Sequence, residues 1–247
     1  SIISGFVSDS SSGESLIGAN VFLRETGQGM ATDINGYYII QDIVSGNYTI
    51  MVSYIGFDMF KQQTTLGDNE SKKVNINLVE QLVQLTEIEV TAEKLQRRNN
   101  IQPSKINLSP RMMKAAPALA EPDLFRTIQA LPGVLTTSEF STGLVIRGGN
   151  TDQNLIMLDG ITVYNPSHLG GLFSNFIVDG VKEAELIKGA YNAEYGGRLS
   201  AVLNIISREG NKNKFKGKVN LSLLSAQTTL EGPFYKGAWV LSGRRTY

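Results

Sequence analysis

The fold of the second half of this chain is decided by the stretch Leu144-Val145-Ile146-Arg147-Gly148-Gly149, followed after a short polar segment by Leu155-Ile156-Met157-Leu158-Asp159-Gly160. Apolar runs of this length that end in Arg-Gly-Gly and Asp-Gly are typical of β-strands that stop at turns. The pattern continues with Ile187-Lys188-Gly189-Ala190, then Glu194-Tyr195-Gly196-Gly197-Arg198, then Val202-Leu203-Asn204-Ile205-Ile206. The sequence therefore predicts a compact α/β region that continues through Ser207.

In this order, the three pieces resemble the plug domain of TonB-dependent outer-membrane receptors. The resemblance implies a plug over residues 110–210, with structural roles for Arg147, Gly148, Asp159, Gly160, Glu194, Gly196 and Arg198. Buried charges must be paired, so the charged members are expected to lock the plug to itself and to the inner wall of a barrel. Two alternatives stay open for these residues: solvated charges at ordinary turns, and a catalytic carboxylate pair. No nucleophile or metal cluster accompanies such a pair in the sequence.

The first 80 residues contain short β-prone runs separated by turn clusters rich in Gly, Asn, Asp and Ser, which predicts a small all-β sandwich. The runs are Ile3 to Val7, Ala19 to Leu23, Tyr37 to Gln41, Tyr48 to Tyr54, Phe60 to Leu66 and Lys73 to Leu78. Tyr48, Ile50, Val52 and Tyr54 alternate onto one face, and Val74, Ile76 and Leu78 alternate onto another, so these faces are expected to form the core. Four pieces follow one another in this region: Ser4-Gly5-Phe6-Val7, Leu16-Ile17-Gly18-Ala19-Asn20-Val21, Thr32-Asp33-Ile34-Asn35-Gly36-Tyr37-Tyr38 and Ser53-Tyr54-Ile55-Gly56-Phe57. Their order resembles the carboxypeptidase-regulatory-like domain, which often precedes the plug in receptors of the Bacteroidetes type.

Composition excludes several classes of function. The 23 basic and 23 acidic residues of this 247-residue chain balance, so no net field attracts nucleic acid. The chain has no Cys, which excludes disulfides and thiolate metal sites, and only one His, His168, which cannot make a zinc peptidase site by itself. We therefore expect no catalysis, no cofactor and no metal, and a structural or docking role for the first domain.

Residues 81–109 read as a linker. Its first part resembles the TonB box, the short segment that a periplasmic energy-coupling protein grasps, over Leu85, Thr86, Glu87, Ile88, Glu89, Val90, Thr91 and Ala92. An extended, β-prone segment suits that role because it can add as a strand to another protein's sheet. The alternative is that residues 82–90 form a last strand of the sandwich.

Within the plug region, a helix is predicted from Asp123 to Leu131, because Asp123 can cap it and Pro132-Gly133 stops it. Polar loops are expected at Thr136 to Thr142, Gly149 to Asn154, and Tyr164 to Leu172. The resemblance places these loops at the plug apex, where Gln153, Asn154, Tyr164, Asn165 and His168 would face the substrate. Solvated loops without ligand contact are the alternative.

From residue 211 onward the sequence alternates again. Val219, Leu221 and Leu223 alternate with polar neighbours, and a Gly232-Pro233 break separates this run from Ala238 to Ser242. Such strands are the weak signature of a transmembrane β-barrel, and an ordinary soluble hairpin is the alternative. Two strands cannot close a barrel, which in this family has about 22, so the chain is expected to be incomplete. No apolar run is long enough for a transmembrane helix, and any secretory signal is expected to have been removed or left out.

The fold class is therefore predicted as α+β: a β-sandwich, a mixed α/β plug and the first strands of a truncated barrel. The resemblance implies a receptor of the bacterial outer membrane that imports its substrate when a TonB-type energy-coupling protein pulls on the box. A surface lipoprotein lid accompanies some such receptors, and the substrate class stays open among small molecules, glycans and peptides. Two other functions remain: a periplasmic binding or sensing module, and a structural or docking subunit of an envelope assembly.

Overall fold

The computed structural model describes residues 1–81, 105–116, 121–138 and 141–247. The chain divides into two compact units, one of Ser1–Arg98 with Asn211–Lys214, the other of Asn99–Gly210 with Phe215–Tyr247. Strands dominate both units, which confirms the predicted α+β class, and the described residues contain two short α-helices. Neither helix has the length and apolar character needed to cross a bilayer.

The first unit is a sandwich of two four-stranded sheets. One sheet has the order β3-β2-β5-β6, and the other has the order β4-β1-β7, with β8 also paired to β1. The strands are β1 (Ile2–Asp9), β2 (Asn20–Leu23), β3 (Gly29–Ala31), β4 (Tyr37–Ile40), β5 (Gly46–Ser53), β6 (Phe60–Leu66), β7 (Ser71–Lys73) and β8 (Ile76–Leu78). The short β3 was not predicted from sequence, because all three of its residues are exposed and it lacks an apolar alternation.

The core of this unit lies between the two sheets. The predicted alternation along β5 is confirmed, since Tyr48, Ile50 and Val52 are buried and Tyr54 packs against them. The predicted single strand from Lys73 to Leu78 is wrong: it is split into β7 and β8, which both run parallel to β1. Between them, Val74 turns into the core, and its carbonyl oxygen accepts a hydrogen bond of 2.8 Å from the Tyr38 hydroxyl.

The interruption between β7 and β8 explains why Gly5 occurs in the middle of β1. A Cβ on Gly5 would lie 1.9 Å from the carbonyl oxygen of Val74, so only glycine lets the Val74 backbone approach this closely. The turn between β7 and β8 therefore depends on Gly5.

The second unit is built around a five-stranded sheet of order β13-β12-β17-β16-β9, in which β12 and β17 are parallel. Its elements are β9 (Lys105–Leu108), α1 (Pro110–Ala115), α2 (Leu124–Gln129), β10 (Val134–Thr136), β11 (Leu144–Ile146), β12 (Leu155–Leu158), β13 (Ile161–Thr162), β14 (Ser167–His168), β15 (Phe173–Ser174), β16 (Val181–Ile187), β17 (Val202–Ser207), β18 (Lys216–Leu221), β19 (Ser225–Phe234) and β20 (Gly237–Thr246). The pairs β10-β11 and β14-β15 form small sheets, and β18-β19-β20 form a three-stranded sheet.

Both helices contribute to one core with one face of the five-stranded sheet, through residues such as Met113, Leu124, Ile128, Leu186 and Leu203. The predicted cap is confirmed, because the Asp123 carboxylate accepts from the backbone N–H groups at the start of α2. The helix ends at Gln129, two residues before the predicted end.

The three-stranded sheet corrects the predicted break at Gly232-Pro233. Both residues lie inside β19, opposite Trp239 and Ala238, and the turn occurs later, at Tyr235 and Lys236. Residues next to a two-residue turn form a hydrogen-bonded pair, so Pro233 lies in a non-hydrogen-bonded position. Its missing N–H therefore removes no bond to β20.

Candidate functional site

The charged residues predicted at the strand ends occupy tight turns. Arg147 and Gly148 have φ values of 49° and 81°, and Asp159 and Gly160 have values of 50° and 80°. Two consecutive residues with positive φ are characteristic of type I′ turns, which explains the Arg-Gly and Asp-Gly pairs. The Asp159 carboxylate accepts from the backbone N–H (2.9 Å) and hydroxyl (2.6 Å) of Ser207, so it ties the β12-β13 turn to the end of β17.

Arg147 lies on a pocket of about 430 Å³ that also includes the side chain of Lys188. The remaining lining residues are Ile146, Gly148, Gly149, Gln153, Gly189, Leu199 and Ser200. One guanidinium nitrogen of Arg147 lies 2.8 Å from the position that a Cβ on Gly189 would occupy. Gly189 therefore makes room for the arginine, and Lys188, whose ammonium donates to the carbonyl oxygen of Pro132 at 2.8 Å, lines the same pocket.

Glu194, Gly196 and Arg198 lie on the chain segment after Gly189. Glu194 is exposed, and its carboxylate accepts a hydrogen bond of 3.4 Å from the side chain of Asn192. The backbone carbonyl of Arg198 accepts from the Tyr191 hydroxyl at 2.7 Å. Gly196 is exposed as well. These three residues and Asp159 are absent from the lining of the Arg147 pocket.

The predicted apex loops meet at Thr142. Its N–H and hydroxyl both donate to the carbonyl oxygen of Gly171, at 2.7 and 3.0 Å, which joins the loop 136–142 to the loop 164–172. Tyr164 is 84% exposed, and the half-buried His168 pairs with Phe173 in the β14-β15 hairpin. Asn165 is exposed, and its carbonyl accepts from the Asn175 side chain at 2.7 Å.

In the third predicted loop, 149–154, the residues Gln153 and Asn154 lie apart from the contact between the other two loops. The side chain of Gln153 accepts from the N–H of Asn150 at 3.1 Å and lines the Arg147 pocket. Asn154 is buried, and its side-chain amide donates to the carbonyl of Leu144 at 2.8 Å. Tyr164, Asn165 and His168 thus share one loop, while Gln153 and Asn154 contact other parts of the domain.

Sequence reasoning missed a buried charge pair. Arg244, on β20, lies 2.8 Å from Glu121, which precedes α2, and their side chains are only 7% and 5% exposed. Glu121 also accepts a hydrogen bond from the hydroxyl of Ser225 on β19. Arg244 donates to the carbonyl oxygen of Ser174, and its guanidinium lies 5.9 Å from the centre of the Phe173 ring.

A second missed carboxylate is Asp179. Lys114 from α1 (2.5 Å) and Lys218 from β18 (2.8 Å) contact it, and Asn220 donates to it at 2.6 Å. Burial raises the pKa of Asp179, but the hydrogen bonds from Lys114 and Lys218 outweigh burial and lower that pKa to about 2. A third link joins Arg208, after β17, to Glu231 on β19 at 2.7 Å.

Together these contacts attach the three-stranded sheet to the rest of the second unit through charged and polar side chains. One sequence pattern indicates this face: Ser225, Gln227, Thr229 and Glu231 alternate along β19, and all four are buried.

The segment 85–92, predicted as the coupling box, lies outside the described residues. In the described part of the chain, no three His, Cys, Asp or Glu side chains are placed to hold a metal ion.

Comparison with known proteins finds two domain families in the chain. Residues 3–90 match the CarboxypepD_reg-like domain, and residues 107–202 match the TonB-dependent Receptor Plug Domain. The chain is 29% identical over 224 residues to TonB-dependent receptor P26 of Formosa agariphila, covering 85% of this chain and 21% of that protein. The chain thus spans about a fifth of the length of this curated relative.

Two solved structures are similar to part of the chain. The ferric enterobactin receptor PfeA of Pseudomonas aeruginosa is 24% identical, with a TM-score of 0.43, and the match covers 57% of this chain and 24% of the receptor. The siderophore receptor PirA of the same organism is 21% identical, also with a TM-score of 0.43, and the match covers 58% of this chain and 28% of the receptor. The two domain matches and the curated relative lead to one identification: the chain carries a CarboxypepD_reg-like domain followed by a TonB-dependent Receptor Plug Domain, and it is a homologue of a TonB-dependent receptor.

Proposed function

We propose that the full-length protein containing this chain is an active-transport receptor of the bacterial outer membrane, in which the plug gates substrate import through a barrel that begins with β18, β19 and β20. The observation that carries this proposal is the inverted polarity of the three-stranded sheet. Its plug-facing side carries the buried polar residues Ser225, Gln227, Thr229 and Glu231, whereas its opposite side, the outer face, exposes apolar residues such as Val219, Leu221 and Leu241.

The outer face suits hydrocarbon better than water. Val219, Leu221 and Leu241 are 63%, 75% and 63% exposed, although burial of apolar surface is the main favourable term in the folding of soluble domains. Aromatic residues cluster toward the β19-β20 turn, where the Phe215 and Trp239 rings lie 6.1 Å apart and Phe234 and Tyr235 are exposed. An apolar band next to aromatic residues, over a polar interior, is the pattern of transmembrane barrels.

The plug side of this sheet supports a gate that is held by exchangeable contacts. Glu121, Asp179 and Arg208 each bind a residue of β18, β19 or β20 by an ion pair. When such an interface opens, water can take over its hydrogen bonds, which an apolar interface does not allow.

Import would start with substrate capture at the plug apex, where Tyr164, Asn165 and His168 offer hydrogen-bonding groups on one loop. A TonB-type coupling protein would then pair with residues 85–92 and pull on the plug. A surface lipoprotein lid and a glycan or peptide substrate fit the Bacteroidetes type of receptor. No catalytic step is part of this proposal.

Gating can be tested without knowing the substrate. In planar lipid bilayers, the intact full-length protein is expected to pass little current, whereas a variant lacking residues 110–207 is expected to open a steady large conductance. A silent bilayer with the plug-deleted protein, after its membrane insertion is verified by heat-modifiable migration, would contradict the gate.

Energy coupling needs a separate test. Ile88→Pro removes a backbone donor from the middle of the predicted box, so it should abolish binding of the coupling protein's periplasmic domain to the full-length receptor. The matched control Ile88→Val keeps the donor and a β-branched side chain and should bind normally. Equal binding by both variants would show that this segment is not the contact.

A further inference from the structure

Ser174 has all three of its polar groups engaged, although it is completely buried. Its N–H and its hydroxyl donate to one oxygen of Asp123, Oδ2, at 2.7 and 2.8 Å. Its carbonyl oxygen accepts from the guanidinium of Arg244. A single residue of β15 is therefore bonded to the segment before α2 and to strand β20.

Asp123 divides its two oxygens between two elements. Oδ1 accepts from the N–H groups of Phe125 and Arg126 at 2.9 and 3.1 Å, which caps α2, while Oδ2 holds Ser174. The residue is only 2% exposed. A buried carboxylate needs such donors, because its charge is otherwise costly to remove from water. Separating β15 from α2 would leave Oδ2 buried without partners, so the two elements are expected to move together.

Along the chain, the two elements are connected to the two segments for which we propose different contacts. β15 closes the hairpin that carries the loop 164–172, where we place the substrate contacts. Asp123 ends the segment that follows β9 and α1, and β9 is the first described element after the predicted coupling box. One side chain thus connects the apex loop with the chain that enters from the coupling side.

We propose that Asp123 is the positioning residue through which the apex hairpin β14-β15 and the coupling end of the plug affect each other. A ligand that displaces the hairpin shifts Ser174 and, with it, the capped start of α2 and the segment before it. Because coupling between two sites is reciprocal, binding at the coupling box must also be felt at the apex loop. This inference rests on the function proposed above.

The substitution Asp123→Asn separates the two roles of this side chain. Asn is as good a helix cap as Asp, so its carbonyl oxygen keeps the bonds to α2. Its amide group then faces the N–H of Ser174 with another donor, which breaks that hydrogen bond and leaves only the Ser174 hydroxyl to accept from the amide, so the link to the hairpin is weakened. The matched control is Thr127→Val, which removes a buried hydroxyl bonded to the Asp123 carbonyl oxygen in the same helix and leaves the Ser174 contact intact.

The reciprocal effect gives a test that needs no substrate. A nitroxide is attached at Tyr164→Cys in a cysteine-free full-length receptor, and its electron paramagnetic resonance spectrum is recorded with and without the periplasmic domain of the coupling protein. We expect the domain to change nitroxide mobility in the parent and in Thr127→Val, and the change to be clearly reduced in Asp123→Asn although the domain still binds. If Asp123→Asn does not fold, Ser174→Ala, which removes one of the two donors, should give a reduced change.

The outcomes separate the two proposals. An unaltered spectral change in Asp123→Asn, or no change in the parent when the domain is bound, would overturn the positioning role of Asp123. A coupling domain that does not bind the parent receptor at all would instead overturn the proposed function.

Discussion

Glu121 and Arg244 are 123 positions apart in the sequence, yet their side chains form a buried ion pair with an N–O distance of 2.8 Å. Glu121 belongs to the segment that enters the plug, and Arg244 belongs to the last strand of the chain. The pair therefore fixes the start of the plug against the three-stranded sheet, and it defines the first prediction.

Removing one partner of this pair leaves the other charge buried and unpaired. We expect Arg244→Met to destabilise the plug by about 3–5 kcal/mol, and the double substitution with Glu121→Leu to recover much of that loss. Hydrogen exchange of the α2 amides in the full-length receptor would measure the change. The neighbouring exposed arginine gives a control, since Arg245→Met should change little; equal effects at both positions would rule out a role for the buried pair.

Asp179 makes the plug sensitive to acid. Burial raises the pKa of Asp179, but its contacts with Lys114, Lys218 and Asn220 outweigh burial and lower the pKa from 3.8 to about 2. The carboxylate therefore stabilises the fold above pH 3.8, and this stabilisation is lost as the pH falls toward 2. Asp179→Asn should flatten the pH dependence of thermal unfolding in this window. Asp152→Asn, at an exposed position of the same unit, should leave the dependence intact. Parallel curves for Asp179→Asn and the parent would contradict this role.

The Asp159-Gly160 turn requires positive φ at both residues. We expect Gly160→Ala to cost about 1–2 kcal/mol, because a Cβ is disfavoured in the left-handed region. Asp159→Asn should cost less than Asp159→Ala, since Asn tolerates positive φ and can still accept a bond from Ser207. Urea unfolding of the three variants would give the order, and an Ala variant as stable as Asn at position 159 would show that the Ser207 contact contributes nothing.

The proposed lipid-facing surface of the three-stranded sheet can be tested with a single charged substitution. If β18 faces lipid, Leu221→Arg should impair insertion, by about 2–4 kcal/mol at the bilayer midplane and by less toward the interface, because a cation on the lipid face is costly. Leu135→Arg is a matched control, since Leu135 is 65% exposed but lies on β10 of the plug. Heat-modifiable migration of the membrane-extracted protein reports insertion. Two variants that insert equally well would favour a soluble hairpin over a barrel.

Much of the local structure was predictable from the sequence. The Arg-Gly and Asp-Gly pairs predicted turns, because few residues other than glycine adopt positive φ easily. Asp123 predicted the start of α2, and the alternation in β5 predicted the buried face of the sandwich. The apolar alternation after residue 215 predicted β18, but the Gly232-Pro233 pair misled, because its position in the hydrogen-bonding pattern of the hairpin cannot be read from composition.

By itself, the sequence determined the turns, the cap, the alternating faces and the order of the domains, since each of these depends on residues within a few positions of one another. Only the tertiary structure decided which charges meet. Ser174 shows no motif, and Glu121, Asp179 and Arg208 find partners that are 23 to 123 positions away. Ion pairs and buried hydrogen bonds depend on distance in space and on exclusion of water, and neither leaves a fixed spacing in the chain.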